Sequence, residues 1–440
     1  MFFPYIVFVN KAHVATLKKI GYLSEDEFES LYNALNELYI KHREIKKKYT
    51  EFVRRGLEDG HSVVELLLTE MLGELGSKLH LFKSRNDEMM TVQQLFIRDK
   101  LVETAKQLIR LCNVFIKIAN DRKSNLFPTF THLQVAQPST FGHYILSYCE
   151  ATLDILTDML YLIKKLNRSP LGAGAIAGTP AIDNIILNRE YEAKLLGFDG
   201  LLINTIYATS SRGLFVTEAI YMLTKILSLV ISRMCEDLLI WNLLELISID
   251  SIFTTGSSAM PQKRNLDIAE LIIGYASVIS GNLSTVINLT SSLPTGYMRA
   301  FQVTKKILVD SFRITTQSLS IFTKMIQTIA INEKKVNQIL NEKATWAADA
   351  AYLYAVKEGI PFRKAYTLVK EAILSGEKPS KNLIEYIETA KNFSSIVLSR
   401  KSSGTSGSID KDLKLYQQKL VDIEKELQDF IEKTKSQKNP

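Results

Sequence analysis

The chain has 440 residues, 46% of them hydrophobic and 23% charged, a balance that excludes a disordered, collagen-like or disulfide-scaffold protein. Lys and Arg total 54 against 47 Asp and Glu, and the resulting net charge of +7 suits anionic small molecules as readily as any polymer. The densest basic runs, Lys41 to Lys48 and the tail after Lys411, lie on polar helical patterns with little aromatic interleaving, which reads as solvated faces and not as a nucleic-acid surface.

The opening MFFPYIVFVNKAH is apolar but has no basic region before it and no small-residue cleavage site after it, so it is not read as a signal peptide. Ser24 with Asp26 and Glu27 marks a helix start leading into LYNALNELYIKHREIKKKY, and a second helix is expected from about His61 to Leu79. Val92, Leu95, Phe96, Leu101, Leu108, Leu111 and Phe115 then recur mostly at three- and four-residue steps, predicting a helix of about thirty residues from Thr91 to about Ala119. Comparable helices are predicted from Thr140 to Leu166, Gly213 to Leu244, Leu266 to about Val286 and Val303 to Ile329. After Asn332 the helices shorten, and KSSGTSGSID forms a loop before a final Lys/Glu-rich helix. The expectation is an all-α chain of three domains: residues 1–80 with short helices, 81–332 with a central bundle of five long helices, and 333–440 with short helices again. Leu223, Ile226, Leu227, Leu229, Val230 and Ile231 cover most of one helix circumference, more than a single small bundle buries, so bundles from several subunits are expected to pack together. The same stretch carries Glu218, Lys225, Arg233, Glu236 and Asp237, charges that a bilayer disfavours, so no membrane partner is expected. A cytoplasmic protein is the expectation. It fits Cys112, Cys149 and Cys235, which are widely spaced and set in apolar stretches, as buried free thiols.

The unusual residues fall between the long helices, where a rigid scaffold displays function. In LHLFKSRNDEMMT, Asn86 and Asp87 read either as helix caps or as binding groups, and Arg85 offers a planar fork for a carboxylate. In FTHLQVAQPSTFGHY, His132 lies in a polar loop and reads either as structural or as catalytic; six histidines without metal-ligand spacing give no metal site. LGAGAIAGTPAID has GxGxxxG after a helix, not GxGxxG after a strand, so it is not read as a dinucleotide fingerprint. TTGSSAMPQKRNLDIAELI combines a mobile Gly-Ser segment with free N–H groups, a stiffening Pro261, the cation of Lys263 and a following helix start with Glu270 about one turn in. It reads as a loop for an anion that develops during reaction, with a phosphate-binding loop or a plain surface loop as the alternatives.

Together, SRND, THLQVAQP and GSSAMPQKRN, with LEDGH at Leu57 to His61, AHV at Ala12 to Val14, PLGAGAIAGT and GIPFRKA, resemble the argininosuccinate lyase branch of the fumarase/aspartase superfamily over nearly the whole chain. The resemblance implies reversible cleavage of argininosuccinate to arginine and fumarate by cofactor-free anti β-elimination, in a homotetramer with sites built where three chains meet. It implies Ser257 as the base and His132, paired with Glu270, as the acid for the departing nitrogen. Lys263 and Asn265, with the loop N–H groups, would stabilise the dianionic aci-carboxylate. Substrate-holding roles carry over to Arg85, Asn86, Thr131, Asn265, Tyr297, Gln302 and Lys305, with Asp59 and His61 nearby. Other lyases of the superfamily, such as adenylosuccinate lyase, and a non-catalytic crystallin-like protein are the alternatives. The sequence departs from the family pattern at Ile6, Asn10, Tyr207, Ser211, Ala300, Val303 and Thr304, which removes negative charge near the end expected to hold the arginine part. Restoring acids at 303 and 304 together is expected to tighten substrate binding.

Overall fold

In a computed structural model of the chain, which describes residues 2–374 and 379–437, the apolar opening segment folds as helix α1, Phe3–Lys19, buried almost continuously from Ile6 to Leu17. Helix α2, Glu25–Ile40, starts on a reciprocal cap in which Ser24 accepts the N–H of Glu27 and the Glu27 carboxylate accepts that of Ser24. The expected continuation to Tyr49 breaks into His42–Lys47 and Tyr49–Arg54, because the lysine run there buries no side chain that would hold a helix against the core. Helix α3, Gly60–Leu72, ends earlier than expected where Gly73 takes φ +59°, and a short helix, Glu74–Ser77, and a 3-10 turn, Lys78–His80, follow.

Five long helices form the centre, as the periodicity predicts: α4 Arg85–Asp121, α5 Phe141–Leu166, α6 running from Arg212 through Leu243, α7 Asp267–Ser291 and α8 Thr304–Met325. Helix α4 begins six residues before the predicted Thr91, since Ser84 and Asp87 cap it reciprocally. Helix α6 carries a π-helical turn at Leu227–Ile231 between Arg212–Ile226 and Ser232–Leu243. The expected polar loop around His132 is instead an antiparallel hairpin, β1 Leu126–Thr131 and β2 Gln134–Thr140, joining α4 to α5. His132 and Leu133 form its tip at φ +52° and +58°, a turn that ordinary sequence signals, which lean on Asn and Gly, do not announce. The last helix among the described residues, α9 Ile409–Gln437, has 29 residues, longer than the short helices expected after Asn332, because it packs along α4 and α5 of the central bundle.

One apolar cluster fills the bundle, with Trp241 fully buried and edge-on to Phe127, Phe141 and Tyr144 at the root of the hairpin. A second cluster joins α1, α2 and α3 to Leu171 and to Ala193, Leu195, Leu196 and Phe198. The three cysteines are free and buried. Helices α6 and α7 are long and apolar enough to cross a membrane by length and composition alone, but their surroundings differ. The most apolar window of α6 is 56% buried inside the fold and that of α7 only 22%, leaving Leu271, Tyr275, Val278 and Ile287 exposed on α7.

The directions of these helices define two ends. A Cβ at Gly213, at the start of α6, would meet Thr290, at the end of α7, and Phe301, just before α8, so these lie at one end. Trp241 and Leu246, after α6 has crossed the molecule, lie at the other, where Leu246 accepts the N–H of Asn332 and Trp241 meets the hairpin root.

Candidate active site

The first end gathers the polar segments that flank α3, α4 and α8. Asp59 caps α3, accepting the N–H groups of His61 and Ser62. Arg85, at the first position of α4, reaches back across it: one guanidinium nitrogen donates to the Glu58 carboxylate at 2.7 Å and the other to the Ser62 hydroxyl at 2.7 Å. The fork read from the sequence as a two-point carboxylate clamp therefore contacts Glu58 through one nitrogen. Arg299 donates to the other Glu58 oxygen at 3.0 Å, tying the YMRAFQ segment to the same spot. Within that segment the Gln302 amide donates to the Tyr297 hydroxyl at 2.6 Å, and Lys305 lies 3.7 Å from the Met89 sulfur. Asn86 is half-buried and donates to the carbonyl of Ala175 at 2.9 Å.

Beneath these groups lies a buried ionic cluster. Glu88 is 1% exposed and accepts from Asn10 at 2.7 Å, with Lys83 3.5 Å away and His61 Nδ1 at 2.9 Å in a charge contact not aligned as a hydrogen bond. Lys83 donates in turn to the Asn10 amide oxygen. Burial would raise the Glu88 carboxyl, but His61 and Lys83 outweigh it and hold the group well below the usual carboxylate range. Asn10 and Ile6 are themselves buried, so these two departures from the family pattern lie inside the fold. Asp87 is buried too, and desolvation pushes its carboxyl up to about 7 against the backbone N–H donors that favour the anion.

The opposite end presents Thr131 and His132, both exposed at the hairpin tip. The hairpin is rooted where α4 ends, since Asn125 and Arg122 accept the N–H groups of Phe141 and Gly142. The Ser257 loop lies between α6 and α7 at this same end. It is more ordered than its composition suggests: Thr255 and Gly256 pair with Asn265 and Arg264 in a two-residue ladder, and Thr255 donates to the Asp267 carboxylate. The Ser257 hydroxyl oxygen accepts the N–H groups of Ala259 at 3.3 Å and Met260 at 3.1 Å. Two N–H groups read as free for a substrate anion are thus committed to the serine, and such donors favour the ionised oxygen over the hydroxyl. Lys263 is exposed, Asn265 half-buried, and α7 starts on Leu266 with no side-chain cap, which leaves its positive end beside the loop. Glu270 is exposed in the first turn of α7, and among the described residues no hydrogen bond joins it to His132 within the chain.

The chain therefore brings Asp59, Arg85, Asn86, Tyr297, Gln302 and Lys305 together at one end and sets Thr131, His132, Ser257, Lys263, Asn265 and Glu270 at the other. Helix α4 has 37 residues and rises about 1.5 Å per residue, while the hairpin returns at most about 20 Å, so about 30 Å or more separates Arg85 from His132. Sequence reasoning missed Glu58, Arg299 and the Asn10–Lys83–Glu88 cluster. Glu58 stood in the LEDGH motif, and the signal for Glu88 was a carboxylate set directly before a dense apolar run. The GxGxxxG segment holds no phosphate cradle, because the N–H groups of Gly172 and Gly174 already point at Asp87.

A bundle of long helices of this kind is the fold of lyases related to fumarase. The structure of EDDS lyase in complex with formate superposes with a TM-score of 0.87 over 99% of this chain and 90% of that one at 24% identity. The class II fumarase of Schistosoma mansoni does so at 0.70 over 88% and 90% at 15% identity, and these likenesses concern the fold. The family described as Lyase matches residues 8–281. The argininosuccinate lyase of Caldanaerobacter subterraneus is 36% identical over 389 residues, 88% of this chain and 85% of its own length. That of Bacillus cereus is 34% identical over 391 residues, covering 88% and 82%. The chain belongs to this lyase family and, within it, to the argininosuccinate lyases.

Proposed function

We propose that the protein cleaves argininosuccinate reversibly to L-arginine and fumarate by anti β-elimination, with no cofactor. The observation that carries the reading is the Ser257 hydroxyl, which takes two backbone N–H bonds at a loop tip that also bears Lys263. The proton to be removed lies on a carbon beside a carboxylate and is weakly acidic, so the base must be strong and the dianion must meet positive charge. A serine oxygen whose ionised form is favoured by two N–H donors, beside an ammonium and the uncapped start of α7, answers both needs. His132, held by Glu270, protonates the departing guanidinium nitrogen. Arg85, Asn86, Thr131, Asn265, Tyr297, Gln302 and Lys305 hold the substrate, and Asp59 fixes the start of α3 beside them. The names of the relatives support the choice of substrate.

The separation of the two ends supports a site assembled from several chains of a homotetramer. One chain supplies the Arg85 end, a second the His132 hairpin and a third the Ser257 loop with Glu270. The exposed apolar face of α7 supports the same assembly, since a second bundle would cover it. A cytoplasmic location goes with this reading. The test is to mix purified protein with argininosuccinate and follow fumarate by its absorbance. Fumarate release is the expected outcome; silence here with activity toward adenylosuccinate would move the chain to that substrate, and silence toward both would favour the non-catalytic, crystallin-like alternative.

A further inference from the structure

Asp87 has no exposed surface, yet its carboxylate is saturated with donors from two distant parts of the chain. One oxygen accepts the N–H groups of Ser84 and Glu88, both at 2.9 Å, at the start of α4. The other accepts those of Gly172 and Gly174, at 3.0 and 2.8 Å, from the glycine-rich segment that follows α5. Both glycines have left-handed φ, +79° and +60°, which turns successive N–H groups inward to the same oxygen. The segment is buried through Gly174 and emerges at Ala175, whose carbonyl receives the Asn86 amide N–H at 2.9 Å. With its nitrogen held in this way, the Asn86 side chain must turn its oxygen away from the loop.

We propose that Asp87 is a positioning residue for substrate binding: it anchors the Gly172–Gly174 turn so that the Ala175 carbonyl fixes the Asn86 amide with its oxygen presented to the substrate as an acceptor. This rests on the lyase reading and deepens it, assigning the Asn86 oxygen to N–H groups of the substrate, while the second hydrogen of its amide nitrogen remains a donor. A carboxylate is required because it accepts on both oxygens. An asparagine at 87 accepts on one oxygen and turns its own NH2 group toward the remaining N–H donors, which releases either the helix start or the loop.

Asp87→Asn is expected to raise KM for argininosuccinate about tenfold while kcat stays within about threefold, because the base and acid at the other end are untouched. The same substitution made on Asn86→Ala is expected to raise KM by less than about twofold, since the side chain it positions is already gone. Equal effects in the two backgrounds, or a fall in kcat without a rise in KM, would overturn the proposal. Should Asp87→Asn fail to fold, Gly174→Ala makes the same comparison, for a Cβ there meets the Gly178 carbonyl oxygen at 3.2 Å and strains the left-handed turn while leaving Asp87 intact. Hydrogen exchange over residues 171–178 reads the anchor without turnover. It should accelerate in Asp87→Asn, and unchanged exchange would refute the anchoring even if the wild type proved inactive on argininosuccinate, an outcome that would sink the lyase reading separately.

Discussion

Two residues show how differently a polar side chain can be supported in this fold. Glu88 is fully buried and owes its charge to His61 and Lys83, so its folded carboxyl lies below its unfolded value, near 4.5. The stability this contributes is fully present above about pH 4.5 and is lost as pH falls toward the folded value. Glu88→Gln strands the Lys83 ammonium beside a neutral partner, and urea denaturation at pH 7 is expected to show a loss of about 3–5 kcal/mol. The gap from wild type should shrink below about pH 4.5, where the charge that distinguishes the two is being titrated away. Ser257 is the opposite case: its loop is largely exposed, so Ser257→Ala forfeits two backbone bonds at a cost of only about 1 kcal/mol. Turnover should nevertheless drop by about 10²–10⁴-fold with substrate binding nearly intact. Near wild-type turnover in that variant would remove Ser257 from the role of base.

At the level of elements, the turn leading into α8 decides how the lost acids can be tested. Restoring carboxylates at 303 and 304 together follows from the family pattern, but the two positions are not alike here. Val303 is 56% exposed, whereas Thr304 has no exposed surface and donates to the Phe301 carbonyl at 2.8 Å, so an acid at 304 would bury an unpaired charge. The useful pair is Ala300→Asp with Val303→Glu, which returns negative charge from two exposed positions beside Tyr297 and Gln302. KM for argininosuccinate is expected to fall several-fold with kcat unchanged, and a KM that rises would show that the guanidinium end of the substrate lies elsewhere. The long helices were legible because their apolar residues recur over many turns, and only their ends moved, where caps such as Ser84 and breaks such as Gly73 act locally. The hairpin was not legible: its tip puts His132 and Leu133 in the left-handed region without a glycine, and its strands carry no clear alternation. The candidate site was legible as motifs, since Arg85, His132 and Ser257 stand in unusual loops. Its partners Glu58, Arg299 and Ala175 were not, because they meet Arg85 and Asn86 only through the packing of distant segments.

At the scale of the whole molecule, the separation of the two ends makes a prediction that no single chain can satisfy. Arg85 and Ser257 belong to opposite ends of a bundle whose α4 alone spans about 55 Å, too far for one substrate to touch both. A site that uses both must therefore take them from different chains, and α7, apolar and mostly uncovered, supplies a face for that association. Arg85→Leu and Ser257→Ala should each be inactive. When the two are denatured together and refolded as mixed oligomers, a site can draw Arg85 from the second variant and Ser257 from the first. Random assortment makes about a quarter of sites whole in this way, so about that share of activity should return. The finer division, with His132 and Ser257 also drawn from different chains, predicts the same recovery for His132→Asn mixed with Ser257→Ala. If subunit exchange is verified, by mass spectrometry of the refolded oligomers, and the Arg85→Leu and Ser257→Ala mixture stays as inactive as its parents, then the two ends do not share a site. The substrate-holding roles given to the Arg85 end would then be wrong. Recovery in that mixture without recovery in the second would leave the site shared between ends but place His132 and Ser257 on one chain, where both already lie at the same end of the bundle.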